Sequence, residues 1–232
     1  MAKNRQMTII EHLEELRDRL IKSVIALTIT TVLSFAFAKQ FLQLLIAPMG
    51  QTPPVSPSPT TTIVVFAKVA LISGVALAMP VLVYQLIRYI APGLTGQEKR
   101  YLYLVLPGAT LSFIAGAAFA YFIMLPTAIP FLKGFLSDII EPNWFIDKYI
   151  SFSTSLLFWV GLSFETPLLI FFLAKLGIIT PAVLSRYRKY AILVIAVISA
   201  VITPTPDPFN MLLVMVPLVL LYEIGILLAK LA

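Results

Sequence analysis

Apolar residues gather into six long runs, at about residues 21–38, 69–90, 101–125, 150–176, 190–203 and 209–228. Most approach the ~20 residues that a helix rising 1.5 Å per residue needs to cross ~30 Å of hydrocarbon. No stretch shows the alternation of a membrane barrel, and an open sheet would leave backbone groups unpaired in lipid. The pattern predicts an all-α integral membrane protein: one polytopic domain of six transmembrane helices. Prolines punctuate it. Pro126 is expected to end the third span, Pro167 to bend the fourth, and Thr203-Pro204 to cut off the fifth, while Pro217 interrupts the sixth. The last two spans are therefore expected to be short, and a short span is met by thinning of the bilayer or by helix association.

The cations sit at the ends of the runs. Lys3, Arg5, Arg17, Arg19 and Lys22 precede the first; Arg88, Lys99 and Arg100 join the second to the third; Lys175, Arg186, Arg188 and Lys189 join the fourth to the fifth; Lys230 follows the sixth. The alternate connections carry only Lys39 and Lys68 at their edges, Lys133 and Lys148 offset by Asp138, Glu141 and Asp147, and no cation between the last two spans. This bias predicts that both termini are cytoplasmic. Ala36-Phe37-Ala38 resembles a signal-peptidase site, but the apolar run exceeds the ~7–15 residues of a signal peptide and follows a long acid-rich segment. An uncleaved first span is the simpler reading.

Composition agrees. The chain is 59% hydrophobic and 12% charged, too little charge to cover a soluble surface. The net charge of +6 reflects topology rather than nucleic-acid binding, because the aromatics lie inside the apolar runs. There is no cysteine, which excludes disulfides and thiolate chemistry, and a single histidine, His12, offers no multi-His metal site. Nucleotide-binding loops, nucleophile elbows and zinc-protease motifs are absent. No enzyme activity and no cofactor are implied.

Polar residues in unexpected places carry the candidate chemistry. Glu165 lies inside the fourth run, where a carboxylate costs a few kcal/mol and reads as functional by default. It either bonds a neighbouring helix or forms an intramembrane polar site. Near the N-terminus, Glu11, Glu14, Glu15 and Asp18 fall at i, i+3, i+4 and i+7 and form one acidic stripe on a helix. Local pairs such as Glu15 with Arg19 or Asp18 with Lys22 would explain it as a solvated face. A docking site for a cation, best a bidentate guanidinium, would explain it equally. Glu98, before the third span, fits a helix start or the second half of that acidic site. The proline-rich segment 47–62 is either a linker or a semi-rigid cap bracing span one against span two. Asp207 suits the start of the sixth helix.

The ordered stretches HLEELRDRL (12–20), APM (47–49), YQLIRYIAPGL (84–94), EKR (98–100), AGAAFAYFIMLP (115–126), GLSFETPL (161–168), ITPTPDPF (202–209) and YEIGI (222–226) resemble TatC, the multi-span component of the twin-arginine protein translocase. The resemblance implies a curved, glove-like six-helix bundle in the cytoplasmic (inner) membrane. It implies a receptor for twin-arginine signal peptides of folded cargo, working with single-span A-type and B-type Tat proteins and the proton motive force. A homo-oligomer within that complex is compatible. By motif, Glu15, Arg17, Tyr89 and Glu98 match positions tied to signal-peptide binding, Glu165 an intramembrane acid that meets a partner helix, and Pro48, Tyr121 and Asp207 functionally sensitive outer positions. TPTPDPF is richer in proline than the family pattern, which leaves the geometry around Asp207 open. The rival readings are a proton-coupled secondary transporter with Glu165 as relay, and a passive scaffold.

Overall fold

The structure is a computed structural model that describes residues 9–50, 54–90, 96–135, 137–139, 143–203 and 207–232; the side chains of 9, 90 and 96–106 are outside the description. Its helices are α1 (Ile9–Ile46), α2 (Pro59–Ile90), α3 (Gly96–Phe119), α4 (Leu125–Gly134), α5 (Ile146–Ser163), α6 (Thr166–Lys175), α7 (Pro181–Arg186), α8 (Arg188–Ile202) and α9 (Pro208–Ala229). They form six crossings: α1, α2, α3 with α4, α5 with α6, α8 and α9. With an even number, both termini lie at one membrane face, here called the terminal side; the opposite face is the far side.

Helix starts follow a local rule. Ser58-Pro59, Thr180-Pro181 and Asp207-Pro208 place a short polar residue before a proline. The polar side chain accepts an N–H that the first turn cannot bond, and proline at the first position has no N–H to leave orphaned. Thr61 N donates to Ser58 Oγ at 3.3 Å, Val183 N to Thr180 Oγ1 at 3.4 Å and Asn210 N to Asp207 Oδ1 at 2.7 Å.

The helices differ from the sequence expectation at four points. The acidic N-terminal stripe and the first span are one continuous helix of 38 residues. The third span does not end at Pro126. It runs on to Gly134, because a π-helical turn over Ala120–Met124 precedes the proline and widens the helix where Pro126 lacks the N–H that would reach Phe122 O. The fourth span breaks at Phe164 and Glu165 and resumes at Thr166 with Pro167 in its first turn, so the expected bend is an interruption. Finally, only the fifth span is truly short. α8 has 15 residues, ~22 Å of helix. α9 keeps 22 residues through Pro217, ~33 Å and enough to cross, although it is the shortest of the five long apolar spans.

Close packing relies on glycine at two crossings. A Cβ on Gly116 would lie 2.8 Å from Gly161 Cα, so α3 and α5 meet backbone to backbone there; one on Gly74 would lie 2.6 Å from Thr31 Cα, where α2 crosses α1. α6 packs along α9, and α8 also leans on α9. Arg188 at the start of α8 holds Glu223 of α9 through two bonds of 2.6 and 2.8 Å. Ile29, Leu71, Ile114 and Leu220 are among many exposed apolar side chains, as a lipid-facing surface requires.

The buried core is uneven. Its main cluster joins Leu45 and Met49, Val65 and Val69, Met124 to Ile129, Ile146 to Val160, and Ile202, Val214 and Leu218. These residues come largely from the far-side half of each helix. Towards the terminal side, among the described residues, a second cluster joins Ile87 and Phe172, flanked by Val83, Leu168 and Leu176, and Leu221, Ile226 and Ala229 of α9 are also buried.

Candidate functional site

At the terminal-side rim, α1 and α2 bring together one face of each. His12, Glu15 and Arg19 recur at i, i+3 and i+7 on α1, opposite Gln85 and Tyr89 on α2. The His12 and Tyr89 rings stack at 4.5 Å with a 20° angle between planes. Arg19 Nη2 bonds Glu15 Oε1 at 3.0 Å, and its Nη1 donates to Gln85 Oε1 at 3.3 Å. The Glu15 side chain is 14% exposed and that of Arg19 22%. Glu15 Oε2 and Arg19 Nε are buried and have no hydrogen-bond partner among the described residues. A carboxylate is thus held in place by one oxygen while the other keeps acceptor capacity for an N–H donor.

Of the four residues expected at this site, Glu15 and Tyr89 share the rim. Arg17 does not join them. It turns to solvent and pairs with Asp18 at 3.2 Å, with both side chains more than half exposed. That pair replaces the anticipated Asp18–Lys22 bond, whereas the Glu15–Arg19 pair forms as expected. Glu98 belongs to the first turn of α3, and its side chain lies outside the described residues.

Glu165 sits at the break between α5 and α6, 8% exposed, and its Oε1 is buried without a partner among the described residues. Its backbone is partly supported: its N–H reaches Leu162 O at 3.1 Å, and its carbonyl accepts Leu169 N at 3.0 Å. No group of three or more acidic, histidine or cysteine side chains that could hold a metal occurs among the described residues.

The far-side residues form a second cluster with a different logic. Pro48 has no N–H to give to Leu44 O, four residues back. Tyr121 supplies the missing donor, its hydroxyl reaching Leu44 O at 3.0 Å. The buried Tyr149 hydroxyl donates to Leu45 O at 2.6 Å, and Lys133 Nζ to Met49 O at 2.7 Å. The end of α1 is therefore capped by side chains of the third and fourth spans. The proline-rich segment is braced too, but not as expected. Val55 N bonds Trp144 O at 2.8 Å, and Ile146 N bonds Val55 O at 3.0 Å, which ties the segment to the connection entering α5 rather than bracing span one against span two. Residues 51–53 of that segment are outside the description. Asp207 fulfils the helix-start expectation, since its Oδ2 also accepts Asn210 Nδ2 at 2.9 Å. Residues 204–206 before it are outside the description.

The comparisons with known proteins agree with this architecture. The family model described as "Sec-independent protein translocase protein (TatC)" matches residues 11–217. The chain belongs to the TatC family. A TatC from Aquifex aeolicus is 42% identical, with 97% of this chain and 96% of the relative covered. One from Carboxydothermus hydrogenoformans is 38% identical over 98% and 94%. The chloroplastic TATC of Arabidopsis thaliana is 35% identical over 98% of this chain and 68% of its own. A crystal structure of a TatC described as a twin arginine translocase receptor superposes with a TM-score of 0.86, at 42% identity over 95% of this chain and 99% of that one. As a TatC, this chain is a multi-span membrane subunit of the twin-arginine protein translocase, a complex of several Tat proteins.

Sequence reasoning missed several polar partners in this TatC fold. Gln85 stands inside the apolar run VLVYQLI, and a polar amide at membrane depth was the available signal. Glu223 also lies within an apolar run, and Tyr149 stands just before one. Their roles depend on which helix faces them, and no local pattern records that.

Proposed function

We propose that this TatC is the signal-peptide receptor of its translocase, and that the terminal side is cytoplasmic. The observation that carries the reading is Glu15. One of its carboxylate oxygens is held by Arg19, and the other is buried with acceptor capacity to spare. An incoming guanidinium satisfies that oxygen with a charge-assisted bond, and the Tyr89–His12 stack offers it a flat aromatic neighbour. Glu98, at the start of α3, is the candidate for the second arginine. Arg17, on the solvent face, contributes through approach of the peptide rather than by shaping the pocket around Glu15.

Glu165 is proposed to receive a polar group from a single-span partner helix, of A-type or B-type, at the break between α5 and α6. The transported proteins are folded cargo of the cytoplasmic membrane's export route, and the proton motive force drives the passage. The crystal structure described as a twin arginine translocase receptor supports the receptor assignment by its likeness.

The test is the affinity of the purified protein for an arginine-pair signal peptide against its lysine-pair version. The arginine pair should bind more tightly, and Glu15→Gln should weaken it by about ten-fold or more, since a hydrogen bond to a charged group is worth ~1.5–3 kcal/mol. Equal binding of the two peptides, or wild-type affinity in both Glu15→Gln and Glu98→Gln, would show the reading to be wrong.

A further inference from the structure

On the far side, Lys68 of α2 donates through Nζ to Ser151 Oγ of α5 at 2.6 Å, and the Ser151 hydroxyl in turn donates to Asp147 O at 2.6 Å. Lys68 is partly buried, and no carboxylate of the described residues lies within ion-pair distance of it. Its hydrogen bond goes to a neutral hydroxyl, and the Asp147 carboxylate, one turn away on α5, makes no ion pair with it. Its level in the membrane follows from the chain. Lys68 and Arg88 are twenty residues apart on α2, and Arg19 and Lys39 are twenty apart on α1. Twenty residues of helix span ~30 Å, the thickness of the hydrocarbon core. Lys68 therefore stands at the headgroup boundary of the far leaflet.

Below it a groove opens. α2 and α5 run in the same direction, from the far side towards the terminal side. Lys68, Ile72 and Val75 recur at i, i+4 and i+7 on one helix, and Ser151, Ser155 and Phe158 do the same on the other. A recess of about 220 Å³ lies between them, lined by Ile72, Val75, Thr154, Ser155, Phe158 and Trp159. A second recess of about 190 Å³ shares Ile72, Thr154 and Phe158 with it. The Thr154 hydroxyl is turned back to Ile150 O, so it adds little polarity to the wall. From the far face inwards, the α2–α5 seam carries the Lys68 ammonium on the Ser151 hydroxyl, and the recess one to two turns below is lined mainly by apolar side chains.

We infer that the α2–α5 groove is a binding site for an anionic glycerophospholipid of the far leaflet. The lipid phosphate meets Lys68 Nζ, and an acyl chain lies along Ile72, Val75 and Phe158. The charge of Lys68 selects an anionic headgroup over a zwitterionic one, and the apolar wall beneath selects a lipid over free phosphate. The inference does not depend on the receptor reading; only the naming of the leaflet as periplasmic rests on the proposed orientation. A lipid seated there would fill the seam between the α1–α2 hairpin and the fourth span.

Native mass spectrometry of the detergent-solubilised protein tests the site, with phosphatidylglycerol, phosphatidylcholine of the same chains, or inorganic phosphate added. Phosphatidylglycerol should be retained preferentially. Lys68→Gln should lower its retention about five-fold, the contribution of one lysine near an anionic surface, and leave phosphatidylcholine unchanged. Lys68→Arg should keep the preference, and Val75→Trp, which fills the groove and spares the charge, should lower retention of both lipids. Equal retention of the two lipids by the wild type would overturn the assignment. So would undiminished phosphatidylglycerol binding in a folded Lys68→Gln protein, or competition by inorganic phosphate. Capture of a signal peptide rather than lipid by a photoreactive residue at position 75, in the presence of phosphatidylglycerol, would overturn it in favour of a peptide groove.

Discussion

At the far side, the last carbonyls of α1 are met by hydroxyls of Tyr121 and Tyr149 and the ammonium of Lys133, with the main apolar core packed behind them. At the terminal side, the same helix presents Glu15 with one oxygen bonded and one unmet among the described residues. Satisfied polar groups backed by a dense core resist rearrangement. Unmet buried polar groups favour a ligand that completes them. The two ends of one helix thus divide the labour: the far end anchors the bundle, and the terminal end is available to bind.

That contrast can be broken at either end by thermal unfolding of the protein in detergent. The largest effect is expected for Arg19→Gln, which leaves the mostly buried Glu15 carboxylate without its cation. It should cost about 2–3 kcal/mol, between the values for exposed and buried pairs, and unchanged stability would mean that Glu15 is already solvated. Tyr149→Phe follows, at about 1–2 kcal/mol, because it strips a buried carbonyl of its donor; signal-peptide affinity should not move with it. Asp207→Ala should cost ~1 kcal/mol as the loss of a helix cap, with Asp207→Asn closer to wild type. Tyr121→Phe should cost less than ~1 kcal/mol, since its hydroxyl bond is exposed and water can replace it. Pairing Tyr121→Phe with a Pro48→Ala change sharpens the far-end account, because alanine restores the N–H that Leu44 O lacks, and the double variant should then be less affected than the sum.

Much of this was readable in the chain. The six apolar runs and Asp207 as a helix start are local features, and each produced the element it predicts. Misreadings came where a local rule met a neighbour. Pro126 reads as a stop, yet a π-helical turn carries the span past it. Pro217 reads as a break, yet α9 continues, packed on α6 and α8. Of the site residues, Glu15 was visible as part of an acidic stripe, but nothing in that stripe distinguishes it from Glu11 or Asp18. The i,i+4 spacing already pairs Arg19 with Glu15, but only the packing of α1 on α2 adds Gln85 to that pair, while Arg17 stays on the solvent side.

The sequence alone determined that the chain lives in a membrane as helices, because hydrophobicity and charge placement act through solvent and need no partner. It also determined the TatC family, through motifs spread along the chain. The tertiary structure decided which polar groups are met and which are left wanting. A hydrogen bond between Tyr149 and Leu45, or between Lys68 and Ser151, joins residues far apart in the chain, and its existence depends on packing that brings their polar atoms to 2.6 Å.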